Sequence, residues 1–309
     1  MTTRFIFVVL PQVHLLDLAG PDQTIHESID FGADLELVYC GLGGSVQTSA
    51  GLGIADQQHF SRVKVEPGDY VVVPGARVKY LTSTAFKVNK DLFRWLREAH
   101  AGGAHLVSIC AGALVLAQAG LLDGVPCTTH FQLTEKLRQL APRAVVKENI
   151  LYVQHERIHT SAGIASGVDL MLRIVEQLTD GRFAHKVARE LVVYSRRDGI
   201  SAQQSAFTRY RNHIHAGIHR AQDHVVERIG ERLTLAALAE VACMSERNFT
   251  RMFRKETGIT VNAYINRIRR EHIGQLVKNP DLTRKQIAQR VGLMSEKQVA
   301  RILKVSLAG

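Results

Sequence analysis

Four short and almost wholly apolar runs punctuate the first part of the chain: FIFVVL at 5–10, LELVYC at 35–40, YVVVPG at 70–75 and HLVSIC at 105–110. Runs of this length without polar alternation suit strands buried on both faces, as in a parallel sheet wrapped by helices. Between the last two runs, Leu92, Trp95, Leu96 and Ala99 recur at helical spacing and predict a covering helix over 91–100. Two more helices are predicted over 165–179 and 184–194. The stretch RRDGISAQQS at 196–205 has little apolar content and several loop formers, so a domain boundary is placed there. The expectation is an α/β domain over 1–199, with a parallel sheet flanked by helices, and a separate domain over 200–309.

The remainder reads as helices only, starting with a connector over about 206–230. It contains a repeat: LAEVACMSERNFTRMFRK at 238–255 returns as IAQRVGLMSEKQVARILK at 287–304, a period near 49 residues. In the first copy Leu235, Leu238, Ala239 and Ala242 share a helical face, and Ser245 is placed to cap the next helix. That next helix buries Phe249, Met252 and Phe253, leaving Arg247, Thr250, Arg251 and Arg254 outward. The second copy has Thr283 and Ser295 as caps, with Ile287, Val291, Val299, Ile302 and Leu303 inward. Lys297, Ala300, Arg301 and Lys304 face out. Between the copies, NAYINRIRREHIGQLVKN at 262–279 makes one linking helix with Ile265, Ile268, Ile273 and Leu276 buried. A short helix under a second, Arg-rich helix is the helix-turn-helix arrangement, in which the second helix enters the major groove.

Charge sharpens this picture. Residues 1–199 hold 20 Lys and Arg against 20 Asp and Glu, whereas 200–309 hold 19 against 9. The net charge of +10 therefore lies in the last third, as expected of a part that meets a polyanion such as DNA. SERNFTRMFRKETGIT, RIRREHI in the linking helix and IAQRVGLMS together resemble the AraC family DNA-binding domain over about 90 residues. That resemblance implies base-reading positions at Arg247, Thr250 and Arg251, and at Lys297 and Arg301. Two departures stand out. Cys243 occupies a turn position where the family has a small residue, which is tolerable if the turn does not demand positive φ. The sequence also stops at Gly309 without the Gly-x-x-Pro-x-x-Tyr helix that normally supports the second unit. Ile302 and Leu303 are therefore expected to be partly exposed, and the second unit to be the more mobile and the weaker contributor to specificity.

In the first domain, Ser108, Cys110 and Gly112 make a nucleophile-elbow pattern between a strand and a helix. A helix N-terminus at that place is expected to favour the thiolate and anionic groups. His130 falls at the expected end of the next strand. With LLDLAGP at 15–21, VVVPGA at 71–76 and TSAGIASGVDL at 160–170, the domain resembles the ThiJ/PfpI class of the glutamine amidotransferase superfamily over about 4–195. The version it is most similar to is the one fused to AraC-type regulators. The class has a flavodoxin-like sheet, and the resemblance makes Cys110 nucleophile-like, with His130 and Asp17 beside it. The expected ligand pocket is Asp17, Gly75, Ala76, Cys110, Ala111 and His130. Ala76 stands where the class often has a second Gly, which weighs against an oxyanion-type site and so against catalysis.

These readings combine in a regulator, not an enzyme, whose first domain senses a small metabolite and whose second binds promoter DNA. The resemblance implies a homodimer, a small-molecule effector of the amino acid or quaternary amine type, and RNA polymerase as a further partner. A Cys-dependent hydrolase or hydratase is the alternative, and a redox sensor using a Cys110 thiolate is a third. No cofactor is implied. Cys40, Cys110, Cys127 and Cys243 have neither metal-ligand spacing nor a dense disulfide pattern, which fits a reducing cytoplasm. His213, His215, His219 and His224 cluster in the connector but read as a solvated helix face, so no metal is expected. The apolar run at 5–10 stops at Pro11, far short of the roughly 20 residues that span a bilayer, so no membrane partner is expected.

Overall fold

The structure is a computed structural model in which residues 2–163, 165–193, 196–203, 205–277, 279 and 281–304 are described. The chain divides into two compact units, Met1–Gln203 and Gln204–Gly309. The first opens with β1 (Thr3–Val9), α1 (Leu15–Asp30), β2 (Leu35–Gly41), β3 (Gly44–Gln47), β4 (Gly53–His59) and β5 (Tyr70–Val73). Two one-turn helices, α2 (Val78–Leu81) and α3 (Thr84–Lys87), precede α4 (Lys90–Ala101), β6 (His105–Ile109) and α5 (Gly112–Gln118). Then come β7 (Pro126–Cys127), α6 (Thr134–Leu140), β8 (Val145–Val146), β9 (Tyr152–His155), β10 (Ile158–Ser161), α7 (Ala165–Leu178) and α8 (Gly181–Glu190).

Eight strands form one sheet in the order β3-β4-β2-β1-β5-β6-β10-β9. The four apolar runs supply its centre, where β1, β2, β5 and β6 pair in parallel. All four residues of β5 are buried, the signature of a strand covered by helices on both sides. The sheet departs from the expected all-parallel form at its two edges, where β3 and β9 run antiparallel to β4 and β10. Leu92, Leu96 and Ala99 of α4 are buried as predicted, while Trp95 is partly buried and donates its indole N–H to the Val63 carbonyl. The helix expected over 184–194 instead spans Gly181–Glu190, capped by Asp180, whose carboxylate accepts from the Arg182 and Phe183 amides. No helix among the described residues is long and apolar enough to cross a membrane.

Near the N-terminal ends of the central strands, Phe5, Tyr70, His105 and His159 stack in a row, with ring centroids 4.8, 4.4 and 5.3 Å apart. His105 Nδ1 and His159 Nε2 lie 3.0 Å apart, a bond that needs one nitrogen to donate and the other to accept. Burial pushes both imidazoles down, His159 to about 4, with His105 adding to the effect on His159. The unfolded chain takes up a proton near pH 6.5 that the folded His159 refuses until about pH 4. Stability is therefore full above pH 6.5 and is lost as pH falls through that window, by about 3 kcal/mol from His159 alone. Urea titrations of wild type and His159→Phe across pH 4–7 check this. The variant should show the flatter curve, and parallel curves would rule the mechanism out.

The second unit is helical, with α9 (Ala206–Arg209), α10 (Ala216–Glu227), α11 (Leu235–Val241), α12 (Glu246–Thr257), α13 (Val261–Leu276), α14 (Arg284–Arg290) and α15 (Glu296–Lys304). Phe249 and Phe253 of α12 sit with Tyr264, Ile265 and Ile268 of α13 and Leu238 of α11 in its larger core. Ile273, Ile287, Val291, Val299 and Ile302 form a smaller one. Each of these two folding units is finished in the same way. Arg220 of α10 donates to the Val241 and Ala242 carbonyls at the end of α11, and Arg269 of α13 donates to the Val291 and Gly292 carbonyls at the end of α14. The two arginines are 49 residues apart, the period of the repeat, and they satisfy carbonyls that a helix leaves without partners.

Several expectations for this unit need correction. Leu235 is 39% exposed, because it is the first residue of α11 and lies off the buried face. Ile302 is buried at 8%, not partly exposed: α13 lies against α15, and Arg270 donates to the Ile302 carbonyl. Leu303 is 40% exposed and does not belong to the inward set. Cys243 does require positive φ, at +58°, a conformation costing a non-glycine residue about 1–2 kcal/mol. The repeat places Gly292 at the equivalent turn, with φ +65°, where a Cβ would also come within 2.6 Å of the Glu231 carbonyl oxygen.

Candidate functional sites

The first candidate site lies at the C-terminal ends of the parallel strands β1, β5, β6 and β10, where open α/β sheets place their ligands. After β1 the chain supplies His14 and Asp17, after β5 Gly75, after β6 Cys110 and Ala111, and after β10 Gly163. Cys110 takes φ +54°, the strained turn of an elbow. Gly112 follows because nothing larger fits: a Cβ there would stand 2.0 Å from the Val73 carbonyl oxygen. A Cβ on Gly75 would stand 2.5 Å from Asp17 Oδ2, 3.0 Å from Cys110 Cβ and 3.1 Å from the Ala111 nitrogen. Asp17, Gly75, Cys110 and Ala111 therefore meet as expected. Ala76, fully buried, is engaged in a backbone bridge with Val13.

His130 does not end a strand of the main sheet. The β7 strand pairs with β8 in a separate two-stranded sheet, and His130 caps a short 3-10 helix beyond it, its Nδ1 accepting from the Gln132 amide at 3.4 Å. The neutral ring then carries its proton on Nε2, as a donor. Burial lowers its pKa, Asp17 partly offsets this, and the charge of His14 adds to the lowering. Three residues of the site were not singled out in the sequence. His14 Nδ1 lies 3.4 Å from Asp17 Oδ2, and the i,i+3 spacing across the start of α1 was the available signal. Thr129 donates its hydroxyl to the Cys110 carbonyl at 2.8 Å. Gly163, at φ +101°, lies so close that a Cβ would fall 2.6 Å from the Cys110 sulfur.

The electrostatics run opposite to the expected activated thiolate. Burial and then the Asp17 charge push the Cys110 thiol far above its ordinary value, and the Ala111 amide at the start of α5 offsets only part of this. The seven-residue α5 is too weak a dipole to overcome desolvation of a buried sulfur beside a carboxylate. A protonated thiol is a poor nucleophile and a poor redox sensor. His14, Asp17 and Cys110 each offer a ligand atom within 4.8 Å of the others, so a cation with borderline preferences would find an imidazole, a carboxylate and a sulfur there. Ligation by Cys110 would have to displace this tightly held proton. Among the histidines of the connector, His219 Nε2 is occupied by the His213 carbonyl at 2.5 Å, which uses a nitrogen a metal would need.

The second candidate site is the outer face of α12. Arg247, Thr250, Arg251 and Arg254 are all exposed, while Phe249 and Phe253 on the opposite side are buried. Ser245 caps the helix as expected, its hydroxyl accepting from the Asn248 amide. These four residues, with Leu235, Glu246 and Lys255, line an open depression. Thr250 donates its hydroxyl to the Glu246 carbonyl at 2.9 Å, so it would offer a base a methyl group and an acceptor, not a donor. Arg251 donates to the Asn248 side chain at 3.0 Å, which limits its rotamers. In the second copy Lys297 and Arg301 are exposed on α15, and Ala300 is half-buried. Thr283 forms a capping box with Gln286 at the start of α14.

Known families match both units. Residues 3–177 match the DJ-1/PfpI family, and residues 238–305 match a helix-turn-helix domain. The chain belongs to the DJ-1/PfpI family. It is 26% identical to the HTH-type transcriptional regulator CdhR of Pseudomonas aeruginosa, over all of this chain and 90% of that protein. It is 30% identical to the isonitrile hydratase of Pseudomonas putida over 62% of this chain and 78% of the enzyme. A crystal structure of an AraC family transcriptional regulator from Pseudomonas putida superposes with a TM-score of 0.54 at 22% identity, covering 61% of this chain and 99% of that one.

Proposed function

We propose that this protein is a sequence-specific DNA-binding transcription regulator in which the DJ-1/PfpI unit senses a small molecule. The observation that carries the reading is α12: its aromatic side is buried in its own unit, and three arginines stand exposed on the other face. Arginine there can bond guanine edges or neutralise phosphates, and the basic excess of 200–309 supports polyanion binding. The pocket supports sensing better than turnover because its thiol is buried and held protonated beside the Asp17 carboxylate. A buried carboxylate, Asp17, with the His14 imidazole 3.4 Å from it suits an effector carrying a cationic nitrogen, such as an amino acid or quaternary amine.

Arg251→Ala should cost about 1–3 kcal/mol on a selected DNA site and relax preference at one base pair. Fluorescence anisotropy on the site and its single-base variants measures this, and an equal loss on every sequence would reduce Arg251 to a phosphate contact. Arg301→Ala should cost less, because α15 rests on the smaller core. The second reading, a hydratase of isonitriles, is favoured by the similarity to that enzyme and by the Asp17–Cys110 pair. Turnover of a simple alkyl isonitrile, abolished by Cys110→Ala, would establish it.

A further inference from the structure

Residues 196–203 have little apolar content, yet they are fastened to the first unit at several places, beginning with an ion pair between Arg196 and Glu176 of α7 at 2.8 Å. Arg197 donates to both carboxylate oxygens of Asp169, a 5% exposed residue of α7, through its amide, Nε and a terminal nitrogen at 3.1, 3.0 and 2.6 Å. The Gly199 carbonyl accepts from the Leu151 and Tyr152 amides at 2.8 and 3.2 Å. A side chain at 199 would collide with the Tyr152 carbonyl at 2.6 Å. Gln203 donates its amide nitrogen to the Thr129 and Ile150 carbonyls at 2.9 and 3.0 Å. Among the described residues its own buried Oε1 has no hydrogen-bond partner, so these two donated bonds hold the side chain.

Two of these anchors lead back to Cys110. Thr129, whose carbonyl takes the Gln203 bond, gives its hydroxyl to the Cys110 carbonyl at 2.8 Å. Leu151, whose amide is bonded to Gly199, accepts at its carbonyl from the Ala162 amide at 2.7 Å, and Ala162 precedes the Gly163 that crowds the sulfur. Gln203 is the last residue of the first unit. We propose that 196–203 is a strap that couples occupancy of the Cys110 pocket to the start of the second unit, with Thr129 and Gln203 as its positioning residues. A ligand that shifts the elbow or Gly163 moves the Thr129 carbonyl or the Leu151 amide to which the strap is tied, and this frees or fixes the chain entering the DNA-binding unit. The inference rests on reading the pocket as a sensing site.

Arg196 and Arg197 lie within the strap, so trypsin cleavage of the full chain there reports its release. Thr129→Val removes the side-chain bond to Cys110 and keeps the backbone carbonyl that accepts from Gln203. It should speed cleavage roughly five- to tenfold, the factor expected from loss of one buried hydrogen bond. Thr129→Ser, which keeps the hydroxyl, should cleave at the wild-type rate. Gln203→Leu, which removes two bonds, should speed cleavage at least as much as Thr129→Val, and the double variant should be no faster than Gln203→Leu alone. Wild-type cleavage in Thr129→Val, equal acceleration by the serine variant, or multiplying effects in the double variant would overturn the coupling. If Thr129→Val does not fold, Gln203→Leu still tests the reverse direction. It should accelerate hydrogen exchange of the buried Thr128 amide, which is bonded to Thr160 Oγ1 at 2.8 Å, and unchanged exchange would overturn the proposal. Neither readout uses DNA, so failure of DNA binding and failure of the strap are separate results.

Discussion

Gly163→Ala should destabilise the first unit by about 3–5 kcal/mol, a large part of the roughly 5–15 kcal/mol that holds a typical domain together. Two costs add. At φ +101° an alanine is strained wherever it has room, and here it has none, because its Cβ would stand 2.1 Å from Cys110 Cβ and 2.8 Å from Cys110 Cα. The second partner is main chain at an elbow already in a positive-φ conformation, so it cannot rotate aside. Adding Cys110→Gly removes the closest collision and leaves the backbone strain. The double variant should therefore recover part of the loss but not all of it. Urea unfolding of the single and double variants measures both terms. Wild-type stability in Gly163→Ala would mean that Gly163 and the elbow are not in contact.

Phe249→Ala should cost about 3–5 kcal/mol in the second unit and abolish sequence-specific DNA binding. Phe249 is fully buried, its ring 5.7 Å from that of Phe253, which in turn meets Tyr264 of α13 at 5.5 Å. These rings seat α12, so truncating one loosens the helix that carries Arg247 and Arg251. The contrast with Arg251→Ala is the informative part. The arginine variant should lose DNA affinity at wild-type stability, the phenylalanine variant should lose both, and Phe249→Leu should restore much of each. Thermal unfolding followed beside anisotropy separates them. A stable Phe249→Ala that still discriminates its site would show that α12 is not held by this core.

What could be read in the sequence was whatever burial writes as periodicity. The central strands, α4, and the helices of the repeat follow from apolar spacing, and the caps Ser245 and Thr283 from residue type. The antiparallel edge strands did not, because β3 and β9 are short and largely polar or half-buried. The strap was read as a loose boundary for a similar reason. Its anchors are ion pairs of Arg196 and Arg197 with Glu176 and Asp169, backbone bonds at Gly199 and the Gln203 side-chain amide, and none of these leaves a hydrophobic pattern. The elbow at Cys110 was legible from Ser108, Cys110 and Gly112, but the state of the thiol was not. That depends on desolvation and on Asp17 approaching from 93 residues away in the chain, which only the fold provides. His14 was overlooked although its spacing to Asp17 was visible, since one histidine before a helix carries little signal alone. At Cys243 the residue was noticed and the positive φ was not foreseen, because nothing but glycine advertises that conformation.

A DNA-reading face on α12 is the central claim, and repeated selection of a random-sequence duplex pool by the full chain tests it most directly. The prediction is a recurring sequence that the wild-type protein prefers over bulk DNA by a factor of about 10³ or more, lost when Arg247 and Arg251 are both changed to alanine. Recovery of no common sequence, or of the same sequence with the same preference by the double variant, would contradict it.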